Sequence, residues 1–420
     1  NGETWTHRDN WLSQQHECEW YGFACVELTI PGTPLFVNAT GESTGNATVE
    51  ENMIVQIQLE QNNLRGRLPK EIGFFASCTI LGLFGNQLVG TIPTTIGNLL
   101  PLTKLWLDDN QLVGSMPSEL GRLRNVNDIT MHSNQLHGSI PSEIGLCIGL
   151  ERLWADTMMI NGTLPSELGQ LSNLIHLYLD VNKISGSLPS EMGLMTSLTD
   201  LRLYQNRLVG RVPDALFRLS NLRIAYMDSN SLSGRLPASM EQLSSIQDLQ
   251  LFSNRLTGPI PADVGTVPNL SVLRLENNDL TGNIPDTLGS TQKLVRLTLS
   301  GNRLVGSLPG SLVQSTTVIQ RIQLDRNDLE GTLPTFLGSF SRLKALNLQA
   351  NRFEGIIPTE LGRLTAIEEL KLEDNNLVGS VPEQLCTISS LLILSADCGG
   401  STPRVACSCC TMCRESSIQI

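Results

Sequence analysis

The chain has 420 residues, of which 40% are hydrophobic and 17% charged, and its net charge is −12. That balance speaks against nucleic acid and anionic lipid as partners, because both are held by basic faces; a basic or neutral partner is easier to accommodate. No run of 18 apolar residues is present, so direct membrane insertion is not expected. The chain opens without Met or a signal-peptide pattern, as expected of a processed or engineered end, and an anchor outside it is left open.

Residues 1–53 read as an N-terminal cap. Cys18 and Cys25 stand close together, and residues 27–53 carry Gly, Pro, Ser, Thr and acids with two Asn-x-Ser/Thr acceptors, Asn38 and Asn46. With little to bury, that segment is expected to be a solvated, glycosylatable loop, with a lid over the following coils as the alternative.

Residues 54–385 repeat. An Asn recurs from Asn62, Asn86 and Asn110 to Asn375 at a spacing of 24, with one spacing of 25 before Asn327, and Met158 occupies one slot. A Gly follows each slot by four residues and a Pro by seven in all 14 cases. Leu-x-Leu before the slot predicts a short strand with two side chains inward, and successive strands pair in parallel at roughly 4.8 Å. The buried Asn amide is expected to satisfy backbone groups of its turn and of the next coil. Gly permits tight backbone geometry and Pro has no N–H to leave unpaired. Such stacking makes a solenoid, which should curve because one face carries a sheet and the other wider turns. Cys78 and Cys147 fall at interior Leu slots and read as small buried hydrophobes. Two further sequons lie at Asn161 and Asn269.

Residues 386–420 form a cysteine-rich end. Cys386, Cys398, Cys407, Cys409, Cys410 and Cys413 suggest three bridges. Six cysteines allow fifteen connectivities, among which the sequence does not choose. Cys410-x-x-Cys413 lacks the companion spacing of a zinc ribbon, so no metal is assigned. Clustered terminal cysteines and sequons together favour an extracellular location, secreted or at the cell surface.

The Gly-x-Ile-Pro repeat resembles the plant-type extracellular leucine-rich repeat of receptor-kinase ectodomains, receptor-like proteins and polygalacturonase inhibitors. Cys18-Glu19-Trp20-Tyr21-Gly22-Phe23-Ala24-Cys25 is similar to that family's N-terminal cap, and both termini resemble those of diatom leucine-rich-repeat proteins. The resemblance implies an α/β-type repeat solenoid: a curved right-handed leucine-rich-repeat superhelix, a parallel sheet on its concave face, about 14 repeats of 24 residues, and disulfide caps at both ends. It also implies a secreted or cell-surface glycoprotein.

Two columns of alternate strand residues are expected to line the concave face. The column two before the slot includes Phe84, Asp108, His132, Asp156, Asp180, Tyr204, Asp228 and Phe252, and nine of its 15 members are acidic. The column four before the slot includes Trp106, Trp154, Tyr178, Arg202 and Tyr226. Every Trp and Tyr of the repeats falls in these columns. Such a patch marks a ligand surface for a peptide, protein or glycan, with simple cross-strand packing as the alternative. Cation–π contacts and charge pairing would hold a basic peptide, and ring stacking a carbohydrate. Calcium between neighbouring carboxylates is less favoured than relief of repulsion by solvent. His132 between acids lacks a nucleophile and an oxyanion donor, so neither an enzyme nor a cofactor is expected. The competing reading is a structural or adhesive protein in which the solenoid is a rigid spacer.

Overall fold

The computed structural model describes residues 23–30, 49–315, 317–401 and 403–415. The chain divides into two compact units, residues 1–184 and 185–420.

In the first unit, three-residue strands such as Lys104–Trp106, Asp128–Thr130, Arg152–Trp154 and His176–Tyr178 pair in parallel and in register. The middle residue of each strand points inward, so Leu105, Ile129, Leu153 and Leu177 are buried. After the strand the chain turns through one left-handed residue, for example Asp109 at φ 50°, and reaches the ladder Asn. Asn110 Oδ1 accepts from Leu88 N at 3.0 Å, while its Nδ2 donates to Leu83 O and Leu107 O at 3.0 and 3.1 Å. One side chain thus completes the backbone of two coils, as buried amides must. Gly114 adopts φ 86°, a conformation an L side chain resists. Pro117 then opens a short 3-10 turn, Ser118–Arg122, that returns the chain behind the sheet.

Met158 sits buried in its slot without an amide to offer. The strand beside it, Met159–Ile160, has two residues where Gln111–Gly114 has four. The main sheet continues undisturbed: Ala155 N donates to Tyr178 O at 2.9 Å. Cys78 and Cys147 are free and buried, and burial pushes each thiol up to about 11, which makes them inert.

The N-terminal segment departs from expectation. Phe23–Ile30 and Val49–Gln58 form an antiparallel pair with Glu27 opposite Asn52, so both ends of the segment read as loop are strand. Val26, Leu28 and Ile30 alternate with Glu27 and Thr29, and that period-two pattern is what a strand requires. Cys18, Asn38 and Asn46 lie outside the described residues, and only the backbone of Cys25 is described, so the expected Cys18–Cys25 bridge falls outside them too.

The second unit repeats the same coil, with strands from Asp200–Arg202 through Glu369–Lys371 in parallel register. The extra residue before Asn327 falls at the returning side, in or after the 3-10 turn Gly310–Ser315, which has six residues against five in Asp286–Ser290. A single short α-helix among the described residues, Glu383–Cys386, leads to the C-terminal end. There Cys386 pairs with Cys409, Cys398 with Cys413, and Cys407 with Cys410. No helix of the described residues is long and apolar enough to cross a membrane.

Candidate functional site

The outward strand positions of the first unit carry the aromatic row. Register places Trp106, Thr130, Trp154 and Tyr178 side by side. Each ring is half-buried, outside the fully buried apolar core. Trp154 and Tyr178 stack at 5.1 Å with 6° between planes, His132 tilts against Trp154 at 6.2 Å, and Phe84 meets Trp106 edge-on at 6.4 Å.

A third column, six residues before the slot, escaped the sequence reading. Its signal was present: it shares the period and, by strand alternation, points to the same side. Lys104 Nζ lies 5.0 Å from the Trp106 ring and the Arg152 guanidinium 4.8 Å from the Trp154 ring. Arg152 Nη1 also donates to Asp128 Oδ2 at 2.7 Å. The chain's own cations therefore already cover these ring faces, which a ligand cation was expected to take.

In the second unit Arg202 forks onto Asp200 at 2.9 and 3.1 Å and lies 5.7 Å from the Tyr226 ring. Tyr204 and Tyr226 meet at 6.5 Å, and Tyr226 donates its hydroxyl to Asp248 Oδ2 at 2.8 Å. Burial and the bond to Asp248 push the Tyr226 phenol far up. The Arg274 guanidinium sits 4.0 Å from the Phe252 ring.

The acidic row is set deeper than its place in the strand implies. Asp108 and Asp180 in the first unit, and Asp228, Glu276 and Asp325 in the second, are buried, while Asp156 is half-buried. A short carboxylate lies below the level of the rings and guanidinium groups along the same face, and it bonds there. Thr130 donates to Asp108, which also lies 3.6 Å from His132 Nε2. Ser229 donates to Asp228 at 3.1 Å. Most of this row holds the face together instead of lining it. The two described sequons differ: Asn161 is exposed, while Asn269 donates its Nδ2 to Ser244 O at 2.9 Å.

Burial raises the Asp228 carboxyl from 3.8 to about 6. Between those values the folded chain keeps a proton that the unfolded chain has released, so stability falls as pH rises through that window. Asp228→Asn, neutral at every pH, is expected to raise stability at about pH 7.5 by about 1–3 kcal/mol and to change little at about pH 4. Urea unfolding at both pH values checks this, and an equal gain at both would assign the effect to packing.

Among the described residues, seven buried polar side-chain atoms have no hydrogen-bond partner. Three are Trp154 Nε1, Arg152 Nε and Asp128 Oδ1, two donors and one acceptor gathered on the aromatic face of the first unit. All seven are sealed from solvent, so the cost of about 1–3 kcal/mol for each unmet group is borne inside the protein.

Models of the leucine-rich repeat match residues 101–123, 269–291, 293–314 and 317–377. No curated protein sequence matches the chain significantly. Among solved structures it is similar to the plant peptide hormone receptor RGFR1 in complex with RGF2, at 35% identity and TM-score 0.75, over 82% of this chain and 59% of that one. The Arabidopsis receptor kinase HAESA, in complex with the peptide hormone IDA and the co-receptor SERK1, shares 30% identity at TM-score 0.70, over 81% and 61%. The chain thus spans about 60% of these receptors' length. A Leptospira interrogans leucine-rich-repeat protein shares 31% identity at TM-score 0.64, over 80% of this chain and 81% of its own. From its repeating coil, its amide ladder and this likeness along the length of both chains, the protein belongs to the leucine-rich-repeat family.

Proposed function

We propose that this chain is an extracellular recognition module that holds a peptide, or an extended segment of a protein, on the aromatic face of its first unit. One observation carries the reading: the outward, half-buried rings of Trp154 and Tyr178 stack at 5.1 Å in register with Trp106, a contiguous aromatic surface of the kind that marks an interface. The cation–π positions are filled from within, so contact with the rings is favoured over capture of a basic side chain. The peptide complexes of the similar plant receptors support the same reading. Residues 1–53 and 386–420 act as caps to the solenoid of 54–385, and the terminal disulfides suit an oxidising compartment.

Trp154→Ala combined with Tyr178→Ala is expected to weaken capture from a secreted-peptide library about thirtyfold or more, as loss of a buried aromatic anchor does. The thermal unfolding profile should change little, because both rings are only half-buried. Equal capture by variant and wild type would remove the site assignment.

A further inference from the structure

In the second unit the strands Arg207–Gly210, Ser231–Gly234 and Arg255–Gly258 pair in parallel and belong to a sheet other than the main one. Leu208, Leu232 and Leu256 are buried, so strand alternation turns Arg207, Ser231 and Arg255 outward, and further along the same coils Arg211 and Arg235. Arg207, Arg211, Arg235 and Arg255 are all exposed. Three consecutive coils thus reverse locally the charge of a chain that is −12 overall. The same sheet shows how this fold neutralises an outward arginine elsewhere. Arg303 donates to Asp279 at 2.6 Å and Arg352 to Asp328, each acid standing at the corresponding position of the preceding coil. Ser231 holds that position before Arg255, and residues 207–211, 231–235 and 255–259 contain no carboxylate. Among the described residues none of these four guanidinium groups has a hydrogen bond or an ion pair.

Arg211 and Arg235 are also laid in place. A Cβ on Gly234 would stand 3.1 Å from Arg211 Nε, and one on Gly258 3.1 Å from Arg235 Nε. Each side chain therefore lies along the next coil, in space that only a glycine leaves open, and less freedom is lost when it takes a ligand. Their backbones stand one coil, roughly 4.8 Å, apart. Open guanidinium groups in a row call for a repeating anion. Their setting selects among polyanions. Ser231, Ser233 and Thr257 surround them with hydroxyls, and Val209 is the one exposed large hydrophobic side chain in these three segments. An acidic protein would need an aromatic or aliphatic anchor, and a single nucleic-acid strand would need rings for its bases, neither of which this face offers. A sugar chain meets hydroxyls with hydroxyls. A sulfate ester fans its oxygens around a tetrahedron, so one group can bond guanidiniums of neighbouring coils, whereas a flat carboxylate is used up by a single fork.

We propose that this sheet face of the second unit binds a sulfated polysaccharide through Arg207, Arg211, Arg235 and Arg255. The site uses other residues than the peptide-binding face and does not depend on that reading. The full chain is titrated by calorimetry with size-defined dextran sulfate, and with dextran, oligogalacturonate and polyglutamate of matched length for comparison. Dextran sulfate is expected to bind, and more weakly as salt rises, because bound counterions are released from the polyanion. Arg211→Gln with Arg235→Gln should weaken that binding about tenfold, the scale of two open ion pairs. Ser231→Asp, which gives Arg255 the acid that Arg303 and Arg352 have, should weaken it several-fold. Arg303→Gln with Arg352→Gln removes the same charge from the same sheet and should leave binding unchanged. Trp154→Ala with Tyr178→Ala should also bind dextran sulfate unchanged, which separates failure here from failure of the peptide reading. The proposal is overturned if dextran sulfate does not bind, or if both arginine pairs lose affinity equally, which would assign the effect to net charge. It is equally overturned if oligogalacturonate or polyglutamate binds as tightly as the sulfated chain.

Discussion

Replacing Asn134 by methionine is expected to lower the stability of the first unit by about 3 kcal/mol, since the buried Leu112 N–H and Met131 carbonyl lose their partner together and Leu107 O keeps only Asn110 Nδ2. Asn134 Oδ1 accepts from Leu112 N at 2.9 Å, and its Nδ2 donates to Leu107 O and Met131 O, both at 3.0 Å. These are buried backbone groups of adjacent coils, and a methionine side chain offers none of them a hydrogen bond. Methionine is the informative substitute because Met158 already occupies the same slot one coil later, where the neighbouring strand is shortened. There the loss is built into the native structure, so the reverse change, Met158→Asn, is expected to gain only about 1 kcal/mol. Urea unfolding followed by Trp fluorescence measures both, with Trp106 and Trp154 in the same unit as reporters. A loss under about 0.5 kcal/mol for Asn134→Met would show that the ladder is not what joins the coils.

Gly121→Ala is expected to destabilise by a similar amount, about 3 kcal/mol, for a steric reason. A Cβ at residue 121 would stand 2.3 Å from the backbone oxygen of Glu143 in the next coil. Gly97 and Gly145 meet Glu119 and Glu167 at 2.4 Å in the same way. Backbone cannot rotate aside as a flexible side chain can, so the coils must separate. The chain contains its own version of the experiment. Phe217 replaces this Gly in the second unit, and the corresponding partner, Ser239, lies before the 3-10 turn of its coil, whereas Glu143 lies within its own turn, Ser142–Leu146. The turn it introduces, Met240–Gln242, has three residues instead of five. Gly310→Ala is the control, with nothing within 4 Å of the added carbon and no positive φ; it should be neutral or raise stability by about 0.5 kcal/mol. Thermal unfolding of the two variants decides the matter, and equal behaviour would mean that coil spacing is not set by this contact.

The repeat was legible because identical coils bury identical positions. Leu105, Asn110, Gly114 and Pro117 each solve a local problem of inward packing, buried backbone, left-handed φ or chain reversal, and each recurs at one period. The aromatic row was legible for the same reason, since alternation along a strand assigns Trp106, Trp154 and Tyr178 to the outward side. The strands on either side of residues 31–48 were missed because Gly, Pro and sequons nearby outweighed a short alternating pattern. The role of Gly121 was equally hidden, because the atom it avoids belongs to Glu143, and only stacking brings the two together.

Which outward groups are already satisfied was a matter of three dimensions. That Arg152 turns over Trp154 of its own strand while bonding Asp128 one coil away, and that Asp228 is buried, depend on how each side chain lies against its neighbours. The period states which residues share a face, because backbone geometry repeats. Their hydrogen bonds and burial depend on the length and angle of each particular side chain against its neighbours, and those differ at every coil.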